Sequence, residues 1–489
     1  MKIVKQNAIA MALGVGLALP NAAIATNGMN LEGYGPIALG MGGASMAYDN
    51  GTAAVMNNPA TLGLMGDGES RVDGAVGFLG PDVTSSAGGQ SWSSSADAFY
   101  MPAVGFATKQ SGLTYGFAMF AQGGMGTEYA PGPGAWMSAG HTQLSGGDAA
   151  TIAKAGSLKE RSEIGVARLV VPVAYDIDDK LTIGGSIDYV RANMDLQMAM
   201  AGNMMSTMMG QGLITGSMVD TMGMMQTNGW LSRNYFGYFD FSDNDDFSGQ
   251  TSADGFAGKL GLTFKISEAL TMGATYHSKT DLGDMTGPAK VTMGVRADTG
   301  VMSGGAPSST HADFIVPLTG TVKIVDFQWP ETYGIGAAFK ASPKLMVAAD
   351  LKIIKWSDVM KDFKMSFTAS GDASNGGFAN KTMNATMPQN WDDQTVIQVG
   401  AAYAVSQDMT VRAGINKADN PIPANTVNYL FPAIIEEHYT AGIGYNLSKQ
   451  QGINFAMSYA PEVSATNSQT NVTTTHSQMS WQLMYSQGF

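Results

Sequence analysis

The stretch that decides the fold is MSWQLMYSQGF, residues 479–489. Its odd positions are Met479, Trp481, Leu483, Tyr485, Gln487 and Phe489, and its even positions are Ser480, Gln482, Met484, Ser486 and Gly488. Successive side chains of a strand point to opposite faces, so one face here is apolar and aromatic while the other is mostly small or polar. The same parity recurs upstream. In LMVAADLKI, residues 345–353, Leu345, Val347, Ala349, Leu351 and Ile353 share a face, which leaves Asp350 and Lys352 on the other. VIQVGAAYAV (396–405) and YTAGIGYNL (439–447) repeat the pattern. A wall between lipid and a lumen requires this period, although a soluble β-sandwich alternates too.

The rest of the chain favours the wall. Lys2 and Lys5 precede an apolar core from Ala8 to Leu19, then Pro20 and Ala23-Ile24-Ala25, the pattern of a secretory signal peptide over residues 1–25. With no cysteine there is no disulfide framework, no thiolate nucleophile and no thiolate metal site, which for a large secreted chain suggests a Gram-negative envelope. A net charge of -13 argues against nucleic acid as a partner. Glycine is abundant, with 62 residues, and only 14% of residues are charged. No later apolar run is long enough for a membrane helix, so a closed barrel is the remaining way to leave no backbone group unpaired in lipid.

Runs of this parity fall near 70–79, 98–108, 112–122, 164–176, 180–192, 253–266, 269–282, 331–341, 344–356, 393–405, 408–418, 437–448, 451–461 and 474–489. They predict an all-β, fourteen-stranded antiparallel transmembrane barrel over residues 67–489. Short turns such as DIDDK (176–180), KISEA (265–269), KASPK (340–344) and AVSQD (404–408) join alternate pairs and belong on the periplasmic side, with the long loops outside. A barrel of that size needs a plug. GYGPIALGMGGASMAYDNGTAAVMNNPATLGLM, residues 33–65, is rich in Gly, Ala and Met and precedes the first strand, so residues 26–66 are expected to fold as a hatch inside the lumen.

These residues resemble the FadL/TodX-like outer-membrane transporters of long-chain fatty acids and other hydrophobic compounds. The hatch pattern carries the resemblance through Tyr34, Gly40, Gly42, Gly43 and the closing Asn58, Pro59 and Ala60, with GGMGTEY (123–129), YVRA (189–192), AADLKIIKWSD (348–358) and VRAGINKADNPIP (411–423) supporting it. It implies passive uptake with release into the outer membrane through a kinked third strand, where Gly123, Gly124 and Gly126 are the candidates for opening the wall. It also implies that Arg191 meets a fatty-acid carboxylate. Parity instead turns Arg191 outward, towards lipopolysaccharide, unless a bulge intervenes. Asp392 stands where a second basic residue is expected, so a neutral hydrophobic ligand is open beside a fatty acid.

The insertion 193–252 holds MDLQMAMAGNMMSTMMGQGLITGSMVDTMGMM, residues 194–225, with methionines at i,i+4. It predicts two short helices broken near Gly210–Gly212, forming an extracellular apolar groove in which Met204, Met205, Met208, Met209 and Met222 receive ligand. The five histidines are scattered, so no catalytic set, metal site or cofactor is expected, and the chain is not read as an enzyme. The remaining partners expected are outer-membrane lipid and the barrel-assembly machinery, which would read terminal Phe489, and a monomer is expected. A diffusion porin for small polar solutes and a surface adhesin or structural barrel are the competing readings.

Overall fold

The computed structural model describes residues 27–130, 132, 158–245 and 248–489, so the expected signal peptide lies outside the described residues. The first strands are β1 (Ser70–Ala87), β2 (Gln90–Ser93), β3 (Phe99–Gln110), β4 (Leu113–Tyr129), β5 (Glu160–Asp176), β6 (Leu181–Ala201) and β7 (Ile214–Thr215). Then follow β8 (Leu231–Phe241), β9 (Thr251–Lys265), β10 (Leu270–His277), β11 (Asp281–Leu282), β12 (Met285–Asp298), β13 (His311–Val325), β14 (Thr332–Lys340) and β15 (Leu345–Ile354). The last are β16 (Asp362–Ala369), β17 (Thr382–Pro388), β18 (Gln394–Ala404), β19 (Met409–Ala418), β20 (Glu437–Asn446), β21 (Gln451–Thr466) and β22 (Thr473–Gly488). All belong to one antiparallel sheet that closes where β22 pairs β1, from Gly488↔Arg71 to Thr473↔Ser86.

The expected fourteen-stranded fold is corrected. The sheet has 22 strands, and towards the long loops the wall closes through sixteen, because β8 and β12 enter between β6 and β9. Near the short turns β6 pairs β9 directly, from Leu181↔Phe264 to Met194↔Thr251. Beyond Met194 it exchanges that neighbour for β8, from Leu196↔Phe241 to Ala201↔Phe236. β12 next carries β13, then β16, β17 and β7 as a side branch. These added strands escape the count because none of them keeps an apolar face for lipid: the outward positions of β16 are Lys364, Ser366 and Thr368. Where β8 joins it, β6 loses its alternation as well and is buried at every residue from Ala192 to Ala201.

The parity itself holds where the wall is bare. Ile397, Val399, Tyr403, Tyr439, Ile443, Tyr445, Met479, Leu483, Tyr485 and Phe489 are all exposed large apolar side chains. Trp481 stacks between Phe78 and Phe455 on the neighbouring strands, at 5.6 and 6.5 Å. Among the described residues no helix is long and apolar enough to cross a membrane. In the insertion the helices are α1 (Gly202–Gly210) and α2 (Ser217–Thr227). Met194, Met198 and Met200 precede them on β6, so their i,i+4 spacing falls on a strand.

Residues 27–65 run inside the cylinder and are almost wholly buried. Asp350 on the inner face of β15 accepts the backbone N–H groups of Ser45 and Met46, at 2.6 and 3.1 Å. Asn58 donates to Met46 O and to the wall at Leu262 O, at 2.8 and 3.0 Å, while its own oxygen caps Ala60 N at the start of the 3-10 helix Pro59–Leu64. Gly42, in the left-handed region at φ 68, donates to Thr440 Oγ1 on β20 at 2.9 Å. Facing it the wall is also glycine: a Cβ on Gly400 would collide with Met41 O, and one on Gly273 with Met46 O. Small residues on both sides let backbone lie directly on backbone.

Candidate functional site

Two chambers flank the start of this inner segment. The upper one is a narrow cavity of about 30 Å³. Met194, Leu196 and Met198 of β6 and Ile164 of β5 form one side. Phe327, Met360, Phe363, Met387 and Gln389 form another, Asn428, Leu430 and Phe431 come from the loop between β19 and β20, and Met29 makes the floor. Its five thioethers and three phenyl rings suit an apolar guest, and the flexible methionines can re-pack to make room for one. Its two polar members are carboxamides. Asn428 Oδ1 accepts Leu430 N at 2.9 Å and Gln389 Nε2 donates to Met387 O at 3.3 Å.

Below the floor the wall has a seam. β3 and β4 pair only from Gln110↔Leu113 to Val104↔Met119. Beyond that point β3 continues on β1 as far as Leu79↔Phe99, and β4 continues on β5 as far as Tyr129↔Glu160. The two strands therefore diverge, and Ser95 N donating to Glu128 O at 2.8 Å bounds the gap above. Gln122 is the extra residue of a bulge between Ala121↔Ala167 and Gly123↔Val166, which bends β4 away. A narrow crevice of about 20 Å³ lies here, lined by Leu31, Tyr34, Met101, Pro102, Ala103, Phe120 and Ala121 among others.

The inner segment covers this seam from within. Asn30 bridges Gly123, and Gly124 N donates to Met29 O at 3.1 Å. Only glycine allows that approach, because a Cβ on Gly123 would collide with Met29 O. Tyr34 donates its hydroxyl to Gln122 O at 2.6 Å, and Trp329 Nε1 donates to Asn30 Oδ1 at 2.7 Å. Arg168 binds the Gln122 side chain and reaches Asp188 at 2.8 Å, where Lys259 is also bound. Met29 thus touches the upper chamber with its side chain and the seam with its carbonyl.

The remaining candidates are placed as follows. Gly126 lies in the paired part of β4 opposite Glu163. Gly40 faces Gly442 on β20, Gly43 sits beside Glu32 O, and Pro59 and Ala60 rest on Gly184 of β6. Arg191 is exposed on the outer face, ion-paired with Asp254 at 3.1 Å, and is not among the residues lining the chamber. Met205, Met208 and Met222 are buried and Met204 and Met209 half-buried in the roof, packed with Met194 and Met198, which do line the chamber. Phe327, Met360, Gln389, Asn428 and Phe431 come from loops and carry no periodic signal in the sequence, while Phe363 comes from the side branch, where it alternates with Met365 and Phe367 on β16.

A group of charged side chains lies beside the upper chamber. Arg161 is ion-paired with Glu128 and Glu163 at 2.8 and 2.5 Å and lies 3.7 Å from Asp195, and Lys159 joins Glu128 at 2.8 Å. Glu160 accepts the Tyr429 hydroxyl at 2.9 Å. Burial pushes the Asp195 carboxyl up to about 6, against hydrogen bonds from Gln250 N and Ser242. Burial, and then Glu160, pushes the Tyr429 phenol well above its ordinary value.

The chain is similar to known proteins in sequence and in fold. The model of the family described as outer membrane protein transport protein (OMPP1/FadL/TodX) matches residues 15–486. The crystal structure of the Pseudomonas putida toluene transporter TodX is 27% identical, with TM-score 0.76 over 94% of this chain and 99% of that one. That of the Ralstonia pickettii toluene transporter TbuX is 29% identical, with TM-score 0.70 over 94% and 99%. Over 62 residues, 13% of this chain, it is 56% identical to an uncharacterized Chlorobium limicola protein from the 5′ region of a phosphoenolpyruvate carboxykinase gene, spanning 30% of that relative's length.

Proposed function

The chain belongs to the OMPP1/FadL/TodX family of outer-membrane transport proteins, and from that premise we propose that it takes up hydrophobic molecules passively and releases them sideways into the outer membrane. The seam between β3 and β4 carries this reading. A porin for polar solutes needs an open aqueous lumen, whereas residues 27–65 fill this one. Ligand enters beneath the methionine roof of Met204, Met205, Met208, Met209 and Met222, rests in the upper chamber on Met29, and displaces that residue. Displacement withdraws Met29 O from Gly124 and Asn30 from Gly123, which uncovers the crevice beside the divergent strands. Residues 26–66 act as the hatch, and the apolar guest leaves for lipid without crossing a polar layer. Toluene, which TodX and TbuX are described as transporting, and fatty acids are both guests of the required class. The exposed pair Arg191 and Asp254 sits at the lipopolysaccharide level in this reading.

Deleting Gln122 tests it. Removal of the single bulge residue joins Ala121 to Gly123 and restores a regular β4–β5 ladder. Uptake of a labelled hydrophobe into outer-membrane vesicles should fall at least tenfold while heat-modifiable gel mobility, the sign of a folded barrel, stays. Unchanged uptake in a folded deletion variant would overturn lateral release at this seam.

A further inference from the structure

Trp329 stands where the upper chamber, the inner segment and the seam meet, and its indole is wholly buried. Nε1 donates to Asn30 Oδ1 at 2.7 Å, and two other donors near that oxygen, Gln122 Nε2 and Tyr34 Oη, lie at 3.5 Å, too far to replace it. The ring also meets Gly123, where a Cβ would come within 3.0 Å of Trp329 Cζ2. One side chain therefore touches both halves of the Asn30–Gly123 bridge. Phe327, two residues earlier, lines the chamber, and its ring meets Trp329 edge-on at 6.5 Å. Trp356 meets Trp329 at 5.7 Å and lies so close to Gly28, at φ 67, that a Cβ there would collide with it.

The indole is mounted on the wall. In the turn between β13 and β14, Trp329 N donates to Thr280 Oγ1 at 2.7 Å, and Thr280 N donates to Trp329 O at 3.1 Å. Gln328 adds bonds with Thr280 Oγ1 and with both backbone polar groups of Leu282, each at 2.9 Å. These bonds fix the turn to β11 and the residue before it, whereas Asn30 reaches Trp329 through one side-chain hydrogen bond.

We propose that Trp329 is the positioning residue that latches the inner segment over the seam, with its indole N–H as the fixed post and Asn30 as the part that moves. The proposal rests on the uptake reading and specifies what restrains its release step. A guest in the chamber presses on Phe327 and Met29 together, and the bond that must give is the one from Trp329 Nε1 to Asn30 Oδ1. Asp350 holds Ser45 and Met46 independently, farther along the segment. A single neutral hydrogen bond is enough to bias the cover towards closure and weak enough for an apolar guest to break.

Hydrogen exchange in the full chain reads the latch, because Gly124 N–H is bonded to Met29 O and is freed when the cover lifts. Trp329→Phe removes the N–H and keeps an aromatic ring beside Phe327 and Trp356. Exchange at Gly124 should quicken about fivefold, the factor for one ordinary hydrogen bond, while Ser45 and Met46 exchange at the wild-type rate. Asn30→Ala should do the same, and the double variant no more than either alone, since both substitutions delete one shared bond. Initial uptake of labelled dodecane into outer-membrane vesicles should rise in all three. Wild-type exchange at Gly124 in a folded Trp329→Phe barrel, effects that multiply in the double variant, or quickening that extends to Ser45 and Met46 overturns the latch and leaves hydrophobe uptake standing. Unchanged dodecane uptake in variants with faster Gly124 exchange separates the bond from release and also overturns the inference. Failure of dodecane to enter wild-type vesicles overturns the uptake reading itself, and this inference with it.

Discussion

Replacing Asp350 with alanine should loosen the inner segment without unfolding the wall. The carboxylate is 4% exposed and accepts Ser45 N and Met46 N. Hydrogen bonds to a charged group contribute about 1.5–3 kcal/mol each, so the pair is worth about 3–6 kcal/mol. Part of that returns, because the variant no longer buries a carboxylate and water can reach the freed N–H groups. A net loss of about 3 kcal/mol shifts the docked-to-undocked ratio roughly 150-fold. Lys352, on the same inner face, also loses a counter-charge, which acts in the same direction. Asp350→Asn keeps one acceptor oxygen but loses the charge, so about 1.4 kcal/mol, or tenfold, is expected. Planar-bilayer recording reads the ratio as the fraction of time the lumen conducts ions, which should rise from wild type through Asp350→Asn to Asp350→Ala. A folded Asp350→Ala barrel as closed as the wild type would refute the anchor, and an asparagine variant leakier than the alanine one would refute the charge argument.

Three further outcomes follow from the same contacts. Deleting residues 26–65 should leave heat-modifiable mobility intact and raise permeability to small polar solutes, measured by liposome swelling. Deleting Phe489, whose N–H donates to Ser70 O at 2.9 Å where the sheet closes, should lower the yield of assembled barrel in outer-membrane fractions with little change in the uptake per assembled molecule, as expected of a terminus read by the assembly machinery. The folded Asp195 carboxyl, pushed up to about 6, binds its proton more tightly than an unfolded aspartate at ~3.9. The strands around it should therefore gain stability as pH falls from above 6 towards 4, by the order of 1 kcal/mol after solvent screening. Hydrogen exchange near β6 and β8 should show this, and Asp195→Asn should abolish it.

What could be read from the chain was what one physical constraint imposes on it. Lipid contact forces Ile397, Val399, Tyr403 and Tyr445 outward and so writes a period of two into the sequence, and the lumen forces Asp350 inward. The backbone-on-backbone packing of residues 33–65 is written in the sequence as glycine and alanine, legible from composition alone. Where a strand turns no face to lipid, that constraint vanishes. β8, β12, β13, β16 and β17 lack a face reserved for lipid, so the count stopped at fourteen although the sheet goes on.

The upper chamber was illegible for a different reason. Its lining is assembled from Met29, β5, β6, the side branch and the loop before β20, segments up to some four hundred positions apart, and no local spacing encodes that meeting. Methionine content pointed to the right insertion, yet the register of β6 decides which methionines face the guest. Continuing the strand through Ala201 brings Met194 and Met198 to the chamber, while Met205, Met208 and Met222 pack the roof above. Roof and lining differ in what substitution does. A roof methionine is buried against other side chains and its loss leaves a cavity, costing roughly 2–5 kcal/mol of local stability, whereas a lining methionine already borders space and its loss chiefly reshapes the volume offered to a guest. Ligand selection is therefore expected to respond to Met194 and Met198, and roof integrity to Met205, Met208 and Met222.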